Sequence, residues 1–213
     1  MKKKLCPQCK IPSVYVKNEK GECYYRKWSS MCEFDQLLNG LREKVRVKQG
    51  QKAEAGVGIM DSQSVRWGDN RSLNGIDGNK KVKGIKRHVV VDKNGFLIAV
   101  MVTTACVHDG KAACLLARCL NELCCNVKVI LADAGYRGEV AGRIRKAFGY
   151  ALEVIVSGDK SNGFKPIGKR WIVERTFSWF DNYRRLCRNY GFTFDSAEEM
   201  VQLAAIRMLL TKI

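Results

Sequence analysis

Three acids, Asp61, Asp133 and Glu174, are the residues whose types and settings could do chemistry together. Asp61 ends the apolar run Val57 to Asp61 in GIMDSQSVR, and Asp133 follows Val127 to Leu131 in LADAGYRG. The carboxyl ends of strands are where open α/β sheets build their ligand crevice. Glu174 is at the centre of KRWIVERTFSWFDNYRRLCRNY, Lys169 to Tyr190. Singly, each has a plain explanation. Asp ends strands because its side chain bonds the following backbone, and a helical Glu often pairs with an Arg four residues away. Together they would repel one another and need a cation. Oxygen-only donors select Mg²⁺ or Mn²⁺, and two such ions roughly 3.5 to 4 Å apart can activate a hydroxyl and stabilise the leaving oxygen of a phosphodiester.

The elements that must position these acids are legible from periodicity. Lys169 to Tyr190 reads as one long helix: Val173, Phe177, Phe180 and Cys187 share an arc that Ile172, Thr176, Trp179 and Tyr183 widen, with Arg170, Glu174, Asp181, Arg185 and Arg188 opposite. Phe34 to Val47 reads as a helix with Leu37, Leu38, Leu41 and Val45 inward. Lys48 to Gly56 reads as a linker, and Gly68 to Asn79 as a polar loop with a basic end. Arg87 to Asp92 and Phe96 to Thr104 read as a hairpin across Lys93-Asn94-Gly95. Asp109 offers an N-cap to a helix with Ala112, Leu115, Leu116, Cys119, Leu120 and Leu123 inward. Gly138 to Phe148 predicts a helix, Leu152 to Val156 a strand, Ser157 to Gly168 a loop, and Ser196 with Glu199 a capping box opening a buried last helix. The sum is a mixed α/β sheet with helices on both faces.

Composition bounds the partners. The chain of 213 residues carries 38 Lys and Arg against 21 Asp and Glu, a formal charge of +17, which points to a polyanion and first of all to nucleic acid. The excess is spread over Lys2 to Lys4, Lys80 to Arg87 and Lys165 to Arg188, as a long groove requires. Hydrophobic residues make up 46%, without a signal peptide or a membrane-spanning apolar run, so the expected location is the cytoplasm, near the nucleoid. The ten Cys are expected to be reduced thiols. Cys6 and Cys9 form one Cys-x-x-Cys pair, but Cys23 and Cys32 do not form a second, which leaves zinc open. Tyr24 to Trp28 interleaves aromatics with cations, suiting base stacking and a core-covering helix equally.

The ordered motifs IMDSQSV, GNKKVKGIKRHVVVD, LADAGYRG and KRWIVERTFSWF with YRRL resemble the DDE transposases of the insertion-sequence-5 type. The likeness runs from about Tyr24, through LREKVR, to the C-terminal helix. It implies a ribonuclease H-like fold, in β-β-β-α-β-α-β-α order, with Asp61, Asp133 and Glu174 as the catalytic metal triad. It also implies two Mg²⁺ or Mn²⁺ ions, cutting and joining of an element's terminal inverted repeats to target DNA, and a homodimer on double-stranded DNA. The family's segment before the Tyr-Tyr region has no counterpart here. Residues 1–50 are therefore expected to be the remnant of a DNA-binding region and 51–213 the catalytic domain. Asp181 and Asn182 stand where the family tends to place neutral or basic residues.

Lys81, Lys83, Lys86 and Arg87 are expected to grip DNA backbone, Tyr136 and Arg137 to face it beside the second acid, and Arg170, Arg175, Arg184 and Arg185 to hold phosphates beside the third. Two other readings stay open. One is a truncated relic or regulator that binds DNA without cutting it. The other is a recombinase using Ser62, Ser64 or Tyr136 as nucleophile. The only histidines are His88 and His108, and no acid in the sequence is evidently placed to orient either, which counts against Ser-His-Asp hydrolysis.

Overall fold

The computed structural model describes residues 33–68, 75–123, 126–155 and 170–213. The expectations for Cys6, Cys9, Cys23, Cys32, Tyr24 to Trp28 and the loop Ser157 to Gly168 lie outside the described residues.

Aliphatic and β-branched runs form the strands β1 (Val57–Arg66), β2 (Gly75–Asp77), β3 (Val82–Val91), β4 (Leu97–Thr104), β5 (Val129–Ala132) and β6 (Ala151–Val154). The order is β2-β3-β1-β5-β6, with β4 also on β3. β1 and β4 flank β3 antiparallel, while β5 runs parallel to β1 and β6 parallel to β5. This is the expected mixed sheet, with antiparallel and parallel pairs meeting at β1. β3 is paired on both edges and covered on both faces, so Ile85 to Asp92 are all buried, polar residues included.

The helices are α1 (Glu33–Lys48), α2 (Asp109–Leu123), α3 (Glu139–Phe148), α4 (Arg170–Asp181), the short α5 (Arg184–Cys187) and α6 (Phe194–Leu210). On one face Leu38 and Val45 of α1, Val173 and Phe180 of α4, and Val201 and Leu209 of α6 pack on Ile59, Val89 and Val91. On the other, Leu116 and Leu120 of α2 and Ile144 of α3 pack on Met60, Val90, Ile98 and Ile130.

α1 is stapled to the β3–β4 hairpin. Arg46 Nη1 lies 2.5 Å from Asp92 Oδ2, both side chains buried, and the guanidinium also donates to the carbonyls of Lys52, Ala53 and Glu54. Asp92 Oδ1 accepts from the amides of Asn94 and Phe96, shaping a turn whose Gly95 has φ 84°, where a side chain would be strained. Arg42 donates to Leu97 O at 3.0 Å. Residues 33–48, on the N-terminal side of the expected boundary at 50, thus share the core of the sheet.

Several expected elements differ. The single helix from Lys169 to Tyr190 breaks: α4 stops at Asp181, Tyr183 is extended at φ −95°, ψ 114°, and α5 has four residues. Asp181 and Asn182 compete for backbone bonds and disfavour helix, while Asn189 pairs with the end of β1, donating to Arg66 O and accepting from Gly68 N, each at 2.8 Å. β1 continues past Asp61 to Arg66 because β3 pairs with it as far as Gly84. β2 lies within the expected loop. Asp109 is the first residue of α2, and His108 Nδ1 accepts from Gly110 N at 3.2 Å. Leu115 is exposed. The capping box of α6 is Thr193 with Ser196, three residues earlier than expected.

Candidate active site

Parallel pairing sets Val57, Gly58 and Ile59 of β1 beside Val129, Ile130 and Leu131 of β5. Asp61 and Asp133 each follow two residues after Ile59 and Leu131. Strand alternation gives both the parity of those residues, on the sheet face that α4 covers. Both are partly buried, and Asp133 keeps an extended backbone at φ −83°, ψ −179°. Asp133 Oδ1 accepts from Gly135 N at 2.9 Å, capping a short 3₁₀ turn, Ala134–Tyr136. Asp61 Oδ1 accepts from Ser62 N at 2.7 Å.

Tyr136 lies in the electrostatic field of both acids. Its side chain is buried and its hydroxyl lacks an aligned hydrogen-bond partner. Burial, then the charges of Asp109, Asp61 and Asp133, push its pKa well above the usual tyrosine value. One hydroxyl therefore feels both aspartates.

Glu174 is exposed on α4, whose inner face of Ile172, Val173, Phe177 and Phe180 anchors it to the sheet. Thr176 Oγ1 donates to Gly95 O at 2.8 Å, and Arg175 Nη2 to Asn94 O at 2.8 Å, fastening the middle of α4 to the hairpin turn. At the far end Asp181 accepts from Gln63 Nε2 at 3.3 Å and 3.4 Å. The hairpin turn lies beyond the Ile59–Val91 pair, so α4 runs in the sense of β1. Glu174 is two turns, about 10 Å, before Asp181, and Asp61 is about 7 Å before Gln63 in the same sense. Along the direction of β1, Glu174 thus stands at about the level of Asp61. Among the described residues, however, no group of three or more His, Cys, Asp or Glu is arranged to hold a metal. The aspartate pair suits a hard cation by donor chemistry, and Glu174 is not gathered onto it.

The cations divide. Lys81, Lys83, Arg137, Arg184 and Arg185 are exposed, Lys83 with its ammonium 5.4 Å from the Trp67 ring centre. Arg175 is sandwiched between Trp171 and Trp179, 4.7 Å from each ring centre. The Arg170 side chain lies outside what is described. Lys86, Arg87 and Tyr136 are buried, so the expectation that they grip DNA on an open surface is corrected. Lys86 and Arg87 sit on the doubly covered strand β3, and Tyr136 packs beneath α2 and α3.

Sequence reasoning missed a buried polar network behind β1. Lys86 Nζ lies 3.4 Å from Asp77, 3.3 Å from Asp109 and 3.1 Å from Val107 O. Ser64 donates to Asp77 at 2.5 Å and Ser62 to Asp109 at 2.9 Å. For Asp77 the largest influence, burial, raises the pKa, but the Ser64 hydroxyl, the Lys80 amide, the Lys86 ammonium and the Asn79 amide bring it down to about 2. His88 is also enclosed. Burial lowers its pKa to about 4 against the opposing pull of Asp109, and its Nε2 is 2.9 Å from Thr103 Oγ1. An acid does stand by this histidine, but Asp109 is 3.8 Å from Nδ1, beyond hydrogen-bond reach. The alternation in VKGIKRHVVVD, which puts Lys86 and His88 on one face, was the available signal.

Comparison with known proteins matches residues 52–210 to the family described as Transposase DDE domain. A Burkholderia cepacia protein named "Putative transposase for insertion sequence element IS402" is 31% identical over 137 residues, 60% of this chain and 62% of that protein. The chain therefore spans under two thirds of that relative. The catalytic domain of Mos1 mariner transposase aligns at TM-score 0.39 and 11% identity, over 93% of this chain and 94% of that one. A piggyBac transposase synaptic complex with hairpin DNA aligns at TM-score 0.33 and 17% identity, over 53% and 25%. The sequence matches, not these loose superpositions, carry the assignment.

Proposed function

Because the chain belongs to the Transposase DDE domain family, we propose that it cuts and joins DNA strands at the ends of an insertion sequence by metal-dependent phosphodiester hydrolysis and strand transfer. Its motifs fit the insertion-sequence-5 branch. The observation that carries this reading is the equal standing of Asp61 and Asp133, each two residues beyond the Ile59–Leu131 pair that closes the parallel β1–β5 ladder. Glu174, at about the level of Asp61 and exposed, is the third ligand once its carboxylate turns inward. Mg²⁺ or Mn²⁺ bound there would activate the attacking water or 3′-hydroxyl and stabilise the leaving oxygen. The exposed cations Lys81, Lys83, Arg137, Arg184 and Arg185 are the groups that would hold the backbone of double-stranded DNA, the terminal inverted repeats first and target DNA second, with a homodimer pairing two ends. Ser62 and Tyr136 are buried and Ser64 is bonded to Asp77, which argues against a covalent protein–DNA intermediate.

A second reading, DNA binding without cleavage, is favoured by one observation, the absence of a gathered three-acid group among the described residues. The two separate in a cleavage assay with Mn²⁺ on DNA carrying the element's ends. The first expects nicking by the wild type, and its loss in Asp61→Asn, Asp133→Asn and Glu174→Gln with DNA affinity kept. A wild type that binds these ends and never cuts supports the second.

A further inference from the structure

Asp61 stands where β1 loses a neighbour. The parallel ladder with β5 closes at the Ile59–Leu131 pair, and the next backbone bonds on that edge are those of Arg66 and Gly68 with Asn189. Among the described residues, Asp61 to Val65 therefore pair with β3 alone. A strand held along one edge opens locally more readily than one held along two. Within this stretch Asp61 Oδ1 accepts from the next amide along the chain, Ser62 N, at 2.7 Å.

Side chains tie the stretch down from behind. Ser62 Oγ donates to Asp109 Oδ1 at 2.9 Å and Ser64 Oγ to Asp77 Oδ2 at 2.5 Å. Lys86 Nζ bridges the two acids, 3.3 Å from Asp109 and 3.4 Å from Asp77. Ser62, Lys86 and Asp77 are buried, which makes these bonds stronger than their surface equivalents. Ser62 thus touches Asp61 with its amide and Asp109 with its hydroxyl. Strand alternation turns the side chains of Asp61 and Ser62 to opposite faces, so a tie on the Ser62 side leaves the Asp61 face open.

We propose that Asp109 is a positioning residue for Asp61: by accepting the Ser62 hydroxyl it fixes the stretch of β1 that aims the Asp61 carboxylate, while Lys86 holds Asp109 in place. The tie between Ser64 and Asp77 fastens the same stretch two residues further on. The positioning itself stands on these contacts. Only its importance for strand cleavage rests on the proposed function.

Amide hydrogen exchange in the intact, metal-free chain tests this, with the residue-62 amide as reporter because it donates to Asp61. Asp109→Ala leaves Lys86 paired with Asp77, so the variant should fold. It should speed exchange at residue 62 about tenfold, with the β3–β4 ladder unchanged. Ser62→Ala, corrected for the intrinsic rate of the new residue, should do the same, and the double variant should be no worse than either single one. Asp109→Asn keeps an acceptor for Ser62 Oγ and should exchange at nearly the wild-type rate. Exchange at residue 62 unmoved by both Ala variants overturns the proposal. So does an acceleration shared equally by the β3–β4 ladder, which marks a structural role alone, or an Asp109→Asn variant as fast as Asp109→Ala. In a wild type that nicks DNA with Mn²⁺, Asp109→Ala should cut about tenfold more slowly at unchanged DNA affinity, and cutting at the wild-type rate would also overturn it. The exchange measurement needs neither metal nor DNA, so the positioning and the catalytic reading can fail separately.

Discussion

At the scale of single residues, the buried charges make predictions whose signs are fixed by their pKa directions. Burial raises Glu198 to about 7, with the carboxylates of Asp195, Asp35 and Glu199 adding to it and the Val102 amide working against it. A carboxyl raised in the fold contributes stability that is fully present below its ordinary pKa and is lost as pH rises through about 7. Glu198→Gln keeps the acceptor for Val102 N, a 2.7 Å bond, without the charge. Urea unfolding should then show the wild type losing on the order of 2 kcal/mol against this variant between pH 5 and pH 8. Parallel curves for the two proteins would refute it. His88 works in the opposite sense, since its depressed pKa makes folding less favourable as pH falls from about 6.5 toward 4. Lys86 is the strongest case. Lys86→Met leaves Asp77 and Asp109 facing each other without their ammonium, and equilibrium unfolding at pH 7 should register a loss of about 3 kcal/mol. A loss under about 1 kcal/mol would mean that water already reaches the pair.

Elements show which parts of the fold the sequence could disclose. Local signals served well where one surface is buried. The Asn-Gly hairpin, the start of β1, the strand before Asp133, and the helix 139–148 all follow from period and turn chemistry. They failed where a distant contact overrode the local pattern. α4 had the apolar stripe of a longer helix, but Asn189 is captured by the end of β1, so the stripe's continuation at Tyr183 is extended. Lys86 and Arg87 looked like surface cations because a single sequence does not reveal that β3 is flanked on both edges. Of the candidate site, the apolar runs before Asp61 and Asp133 pointed to those two acids, although β1 continues past Asp61, while Asp77 and Asp109 looked like ordinary turn and cap residues. α1 is the element whose role was least visible, since Arg46 reads as one more basic residue and yet holds the hairpin through Asp92. Arg46→Met strands the Asp92 carboxylate at 0% exposure. It should destabilise the whole chain by about 3 kcal/mol, with loss of hydrogen-exchange protection in the β3–β4 turn as well as in α1. Protection lost in α1 alone would show that the staple holds the helix and not the hairpin.

For the molecule as a whole, the charge of +17 and the proposed partner make a joint prediction about salt. Non-specific affinity for duplex DNA comes from phosphate neutralisation, and each contact contributes roughly −0.9 to the slope of log affinity against log salt. The exposed Lys81, Lys83, Arg137, Arg184 and Arg185 supply five such contacts. The slope expected from them is about −4.5, so raising salt from about 50 to about 200 mM should weaken binding several-hundred-fold. Replacing Arg184 and Arg185 together with Gln should reduce the slope by about two, without selectivity for any DNA sequence, because backbone contacts position the duplex and carry no base readout. Replacing Lys86, which is buried between two acids, should leave the slope unchanged in protein that remains folded. A slope near −1 in the wild type, or an equal fall from the Lys86 variant, would mean that the surface cations named here do not form the DNA-binding face.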